Sequence, residues 1–521
     1  MRGDRNAKKG CGSNLLFQGS DWNFETLSRA YDAIETVALD NLGLDVYPNQ
    51  LEIISSEQML DAYSSVGMPL MYQHWSFGKR FVFEDNLYRK GRRGLAYELV
   101  INSNPCITYL MEENTMAMQA LVTAHAAFGH NHFFKNNYLF RQWTDASAIL
   151  SYMEFAKKYI IKCEERYGTT AVEAILDSAH ALMDQGVFRY RRPPRLSSEK
   201  ERERMRERLE YEEQTFSDLW RTLPTASESS DPDAVERDVM ERKKALNLPD
   251  ENLLYFLEKT SLILEPWQRE ILRIVRVIAQ YFYPQRQTKV MNEGCATFVH
   301  YTIMNTLFDQ GRITEGAMLE ILQSHTNVVF QPSFDDPRFP GINPYALGFA
   351  MMQDIERICV DPTPEDRDWF PEIAGSGNWR ETLLDAWANH RDESFILQYL
   401  SPSLIRKFRL FLLSDEADEK YCEVASIHNE RGYEAIRAAL ARSYDIGANQ
   451  PDIQVMDVDL LGDRHLRLQH NIKNGVLLEE TSRDATLRHV RHLWGYEVSL
   501  AGVEAETGET LYECSTADIE E

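Results

Sequence analysis

The chain has 521 residues, 43% of them hydrophobic and 26% charged. That is a globular composition, and it is too long for one ordinary core, so two or three domains are expected. With 81 acidic against 56 basic residues the formal net charge is -25, the wrong sign for releasing counterions from phosphate; this argues against a main role in binding DNA or RNA and leaves room only for a local basic patch.

The seven cysteines, at 11, 106, 163, 295, 359, 422 and 514, form no CxxC pair and are odd in number. They read as reduced thiols of a cytoplasmic protein rather than a disulfide framework. No apolar run approaches the length of a spanning helix, and no apolar stretch follows the basic residues Arg2 to Lys9, so no signal peptide is expected. Residues 1–20 are set aside as a disordered tail; LLFQG at 15–19 resembles a protease-cleavage scar as much as a native segment.

From Asp21 to about Gly186 the pattern is mostly helical, with Leu27, Ala30, Tyr31, Ile34 and Val37 at helical spacing. Residues 112–128 lack Gly and Pro and predict a buried helix. Residues 190–250 open with RRPPR and continue as SSEKERERMRERLEYEEQ, a charged helical insertion or linker with no wide apolar face. Pro266 suits a helix start and Pro284 its end. Further helices are expected over about 288–309, 314–323 and 345–358. Beyond 394, strands at 406–413, 421–427, 453–460, 465–470 and 496–502 with helices at 432–444 and 484–495 predict a small α+β domain over 395–521, with a loose internal duplication.

Four stretches could carry chemistry. HAAFGHNHFF places His125, His130 and His132 within eight residues. A zinc-protease helix would read HExxH, two histidines four apart with a glutamate base between them. Here Ala126 takes the glutamate's position and the spacing is five, which rotates a regular helix by about 140° and splays the rings; Gly129 could bulge the helix and turn His130 back. MNEGCATFVH puts Glu293 and His300 seven apart on one helical face, and NEGxA resembles the helix that gives gluzincin peptidases their third zinc ligand. SHTNVVFQP and INPYALGF set His325, Asn343 and Tyr345 in apolar sequence. YQHWSFGK and LAYELVINSNP mix His74, Trp75, Lys79, Tyr97 and Glu98 with aromatic residues. Each has a bland counterpart: a histidine in an apolar helix is usually a hydrogen-bonded core residue, and Glu293 could sit in a buried ion pair. No phosphate-binding loop or GxSxG elbow is present.

The motifs SSEQMLDAYSSVGMP, YQHWSFGK, LAYELVINSNPC, YLMEENTMAMQALV, HAAFGHNHFFKNNYLFRQWTDA, QYFYPQRQTKVMNEGCATF, SHTNVVFQP and INPYALGFAMMQDI resemble the stage V sporulation protein R (SpoVR) family, in its proteobacterial-type branch. Cys295 and Val299 stand where relatives carry aromatics. The resemblance implies a role in spore cortex (peptidoglycan) formation or in the starvation stress response. It also implies as partners a serine protein kinase and a protein with a von Willebrand factor A-like domain. The combined expectation is a mainly α fold: a large helical, zincin-like domain over 21–394 with the small α+β domain appended. Zinc would be held by His125, His130 and Glu293, with His300 or Tyr345 as acid/base or oxyanion group. Glu113 would stand in for the missing base of a metal-dependent amide hydrolase. The alternative is a non-catalytic scaffold that works with the kinase.

Overall fold

Helix α1 (Phe24–Thr36) starts at Asn23, whose side chain accepts the Thr26 N–H at 2.8 Å, and it buries Leu27, Ala30, Ala33 and Ile34 at the spacing the sequence shows. The computed structural model describes residues 14–64, 71–77, 79, 98–189, 248–334, 336, 339, 341–414, 423–426, 428–459, 462–473 and 475–519. They form two compact units, Met1–Glu173 with Gln280–Asn449, and Ala174–Ala279 with Gln450–Glu521. The charged segment 190–247 lies outside the described residues.

The first unit is mainly helical. Strand β1 (Asn49–Ile54) leads to helix α2 (Ser56–Ser64), and β2 (Glu98–Ile101) turns back into β3 (Cys106–Met111). The sheet order is β1-β3-β2; β1 runs parallel to β3, and β2 runs antiparallel to it from Glu98 opposite Leu110 to Ile101 opposite Ile107. The β2–β3 turn is tied down by Asn102, which bonds Thr144 at 3.0 Å and accepts the Tyr281 hydroxyl at 3.0 Å.

The expected 112–128 helix begins later, at Thr115, whose hydroxyl accepts the Met118 N–H. All eight residues of α3 (Met116–Thr123) are buried, as a helix with no polar face must be. The chain then makes a π-helical turn, Ala124–His130, and continues as α4 (Asn131–Asn136). Helix α5 (Lys289–Asp309) runs through the core beside it; Asp392, first residue of α8 (Asp392–Tyr399), accepts the Val290 and Met291 N–H groups at 2.9 Å each. Helices α6 (Glu315–Val328) and α7 (Pro344–Val360) follow, capped by Thr314 and Asn343. Small residues let these backbones touch. A Cβ on Gly129 would stand 2.5 Å from the Ala296 Cα, and one on Gly294 would stand 2.6 Å from the Gly348 carbonyl carbon.

Some expectations need correction. Leu16 and Phe17 are buried in this unit's core, and Leu16 donates to the Arg312 carbonyl, so residues 14–20 are not a loose tail. The helix Pro266–Gln287 runs past Pro284, and the Pro284 carbonyl accepts the Thr288 hydroxyl at 2.8 Å. Residues 406–411 are not a strand: Ser401 caps a short helix, Pro402–Lys407, with Pro402 at its first position, and only Leu412–Ser414 is extended, paired with Glu423–Ser426. That pair and the helix Glu430–Tyr444 belong to the first unit, so its limit falls at 449 rather than 394.

In the second unit, β4 (Asp452–Val458), β5 (Leu466–Ile472), β6 (Val498–Glu504) and β7 (Thr510–Ser515) form one sheet in chain order. The parallel β5–β6 pair needs a crossover, and the helix Glu480–Trp494 supplies it, burying Leu487, Val490, Leu493 and Trp494. The expected duplication does not extend to the sheets, since the first β-β-α run forms a separate two-stranded ladder. Among the described residues, no helix is long and apolar enough to cross a membrane.

Candidate metal centre

The five-residue spacing of His125 and His130 is resolved by the π turn. Its hydrogen bonds run i→i+5, so residues five apart stand about one turn above each other instead of splaying. The rings meet edge to face with centroids 4.7 Å apart. His132, two residues on, faces elsewhere: its Nδ1 accepts the Asp45 N–H at 3.0 Å, and burial pushes its pKa down to about 4. It is a structural histidine that ties the loop before β1 to α4.

The Nε2 atoms of the other two histidines face carboxylates. His125 Nε2 lies 3.3 Å from Glu98 Oε1, at the start of β2, and His130 Nε2 lies 3.5 Å from Glu293 Oε2 on α5. One ligand atom each from Glu98, His125 and His130 lies within 4.8 Å of the other two. The far sides of both rings are held. His130 Nδ1 is 2.9 Å from the Asn292 side-chain oxygen, which can only accept, so Nδ1 donates there and Nε2 is left facing Glu293. His125 Nδ1 is 2.8 Å from His300 Nδ1, and His300 Nε2 is 2.9 Å from His325 Nδ1.

Burial and the neighbouring imidazoles His130 and His300 hold His125 well below the usual histidine range, and burial with His325 does the same to His300. Burial alone pushes His325 down to about 4. Burial, with Glu293 adding repulsion, pushes the Glu98 carboxyl up to about 8. Glu293 Oε2 is buried and makes no hydrogen bond among the described residues. A buried carboxylate oxygen in that state is costly unless a cation meets it.

Two imidazole nitrogens and carboxylate oxygens are a donor set for zinc, iron or manganese. Tetrahedral ligands bound at about 2.0–2.1 Å stand about 3.3–3.4 Å apart, and His130 Nε2 and Glu293 Oε2 stand 3.5 Å apart, close to that edge. The residues therefore fit a divalent cation.

The structure sets the His125 and His130 rings edge to face and places Glu293 beside His130, while the set whose ligand atoms close within 4.8 Å is Glu98, His125 and His130. His300 does not face the cluster's interior, because both of its ring nitrogens are engaged behind His125. Tyr345 takes the first turn of α7, where Asn343 Oδ1 accepts its N–H at 3.0 Å, just ahead of Gly348. Glu113 is exposed, and its Oε1 accepts the Ser56 N–H at 3.2 Å at the start of α2. The carboxylate beside His125 is Glu98 instead. Its only sequence signal is a lone acid in the apolar run LAYELVI.

A mainly helical protein with a cluster of two buried histidines and a half-buried glutamate, Glu98, able to hold a metal ion is the class that fold and site define. Within that class the chain belongs to the SpoVR family: the SpoVR like protein family matches residues 21–449, and the SpoVR-like C-terminal domain matches 451–505. The border between the two matches falls where the second unit resumes, at Gln450. The chain is similar to the uncharacterized protein YcgB of Escherichia coli (strain K12), at 56% identity over 485 residues, which is 93% of each chain. No solved structure matches.

Proposed function

We propose that the cluster is a divalent-metal site, with zinc the leading ion, and that it serves a zincin-like amide hydrolase. His125 Nε2, His130 Nε2 and Glu293 would hold the ion, and Glu98 would be the acid/base. The observation that carries this is the pair of imidazoles aimed by Nε2 at carboxylates while Asn292 and His300 hold each Nδ1 from behind. A cation bound there would polarise an amide carbonyl and acidify a water molecule.

Glu98 supplies, from a neighbouring strand, the carboxylate that Ala126 leaves out of the helix. Its carboxyl is pushed up to about 8, and a cation nearby lowers that value toward neutral pH, the range in which a general base works best. It would take the water's proton and return it to the departing amine. The family's link to peptidoglycan points to cell-wall peptide amides as the substrate class, and the reduced thiols to action in the cytoplasm.

The test is metal content and turnover together. Purified protein is expected to carry about one zinc per chain, lost in His125→Ala and Glu293→Gln, and to cleave peptidoglycan-derived peptides in a metal-dependent way. Protein that takes up no zinc, manganese or iron, but forms a stable complex with the serine protein kinase or the von Willebrand factor A-like partner, would sink the hydrolase and leave the scaffold.

A further inference from the structure

Behind His125 stands a column of imidazoles that no step of the proposed hydrolysis uses. His125, His300 and His325 come from the π turn, α5 and α6, and are linked Nδ1–Nδ1 at 2.8 Å and Nε2–Nδ1 at 2.9 Å. All three are buried, with 5%, 3% and 6% of their surface exposed. Tyr301 and Phe349 pack on His325 with ring centroids 5.0 and 4.8 Å away and fix the far end. Rings buried this fully, with no carboxylate hydrogen-bonded along the column among the described residues, favour the neutral form, in which each carries one N–H.

One N–H per ring and one hydrogen per link leave two self-consistent arrangements. In the first, His125 donates from Nδ1 to His300 Nδ1, His300 donates from Nε2 to His325 Nδ1, and His325 carries its proton on Nε2. The lone pair of His125 then lies on Nε2, facing the metal position. In the second, every link is reversed, and His125 presents Nε2–H to Glu98 and cannot ligate.

We propose that His300 and His325 are positioning residues, a two-ring column that sets the tautomer of His125, and that a metal at His125 Nε2 locks the whole column into the first arrangement. The change conserves protons: each ring keeps one, and each link reverses its donor. It makes His325 Nε2 a donor only when the site is filled, so occupancy is reported two rings away. This rests on the metal reading above.

The test uses full-length protein labelled with 15N at histidine, titrated with zinc. Two-bond 1H–15N spectra distinguish the two neutral tautomers, and peaks are assigned by their loss in single-histidine variants. Zinc is expected to move His300 and His325 to the Nε2–H form and to leave His132 unchanged. In parallel, His325→Phe, which offers no acceptor, should weaken zinc binding about 10- to 100-fold, and His325→Gln, whose amide oxygen can accept from His300, should recover most of it. The wild-type spectra do not depend on either variant folding. If wild-type protein binds no zinc, the metal reading and the column both fall. If it binds zinc through His125 while the column's tautomers stay put, or if the Phe and Gln variants bind alike, the column alone is refuted.

Discussion

Glu258 in the second unit and Glu293 in the first are both helix-borne carboxylates shielded from solvent, yet their surroundings differ. Glu258, 3% exposed, is met by the Arg276 guanidinium at 2.9 Å and by the Lys259 ammonium, so its charge is neutralised within the chain. The same holds for Asp366 with Arg357 and for Asp452 with Lys473. Glu293 instead faces the Nε2 of His130, whose other nitrogen is held by Asn292. A structural carboxylate brings its own cation, because an uncompensated buried charge is costly. A carboxylate set against imidazole nitrogens is arranged for a cation from solution.

Substitutions at the metal centre test that contrast most severely. His130→Ala should reduce zinc from about one per chain to under about one tenth, a loss of at least one of three ligands, read by elemental analysis; retained stoichiometric zinc would break the comparison. Glu98→Gln should keep the metal and lower turnover about 10²- to 10⁴-fold, the usual contribution of a general acid/base. Loss of zinc in that variant would make Glu98 a ligand and Glu293 the base.

Arg276→Met should cost about 3 kcal/mol in chemical denaturation, since it strips Glu258 of its main partner, while zinc content stays unchanged. Asn292→Ala should weaken zinc about 10- to 100-fold with little change in thermal stability, the signature of a group that orients a ligand from behind.

The smallest effect is in acid. Burial pushes the Asp366 carboxyl up, but hydrogen bonds from Arg357 and Thr363 outweigh it and hold the carboxyl at about 2. A depressed carboxyl stabilises the fold above its unfolded value and loses that contribution as pH falls through the folded one. Wild type should therefore lose stability relative to Asp366→Asn between about pH 4 and pH 2, seen by circular dichroism melts; parallel curves would show that the pair is idle.

Much of the helical unit is legible in the sequence, because its helices carry caps and apolar spacing together. Thr314 and Asn343 precede clean helical runs, and α5 follows its expected span closely. The histidine pair and Glu293 are legible as residue types, and Gly129 marks where the helix bulges, but the distances at which they meet are not. No periodicity announces a π turn, and the contacts that bring α5 to it depend on glycines and alanines that look like ordinary helix residues.

Glu98 is visible in the sequence as an ionisable group of LAYELVINSNP, but its place beside His125 is hidden for another reason. Glu113 lies closer along the chain to the histidine helix, but strand register decides the matter, and pairing β2 with β3 sets Glu98 opposite Leu110, beside the route into α3. A four-residue strand carries too few alternations to reveal its register. The strand Thr510–Ser515 is missed likewise, since TLYECS at a sheet edge has no buried face.

The glycine contacts between the π turn, α5 and α7 have a consequence of their own. Where helices meet through side chains, a shift in one is cushioned by rotamers in the other; where Gly129 rests on Ala296 and Gly294 on Gly348, main chain bears on main chain. Such a joint has little compliance. The π turn, α5 and α7 are thereby locked as one body, so the gap between Glu293 and His130 is set by main-chain contact and not by the rotamers of intervening side chains.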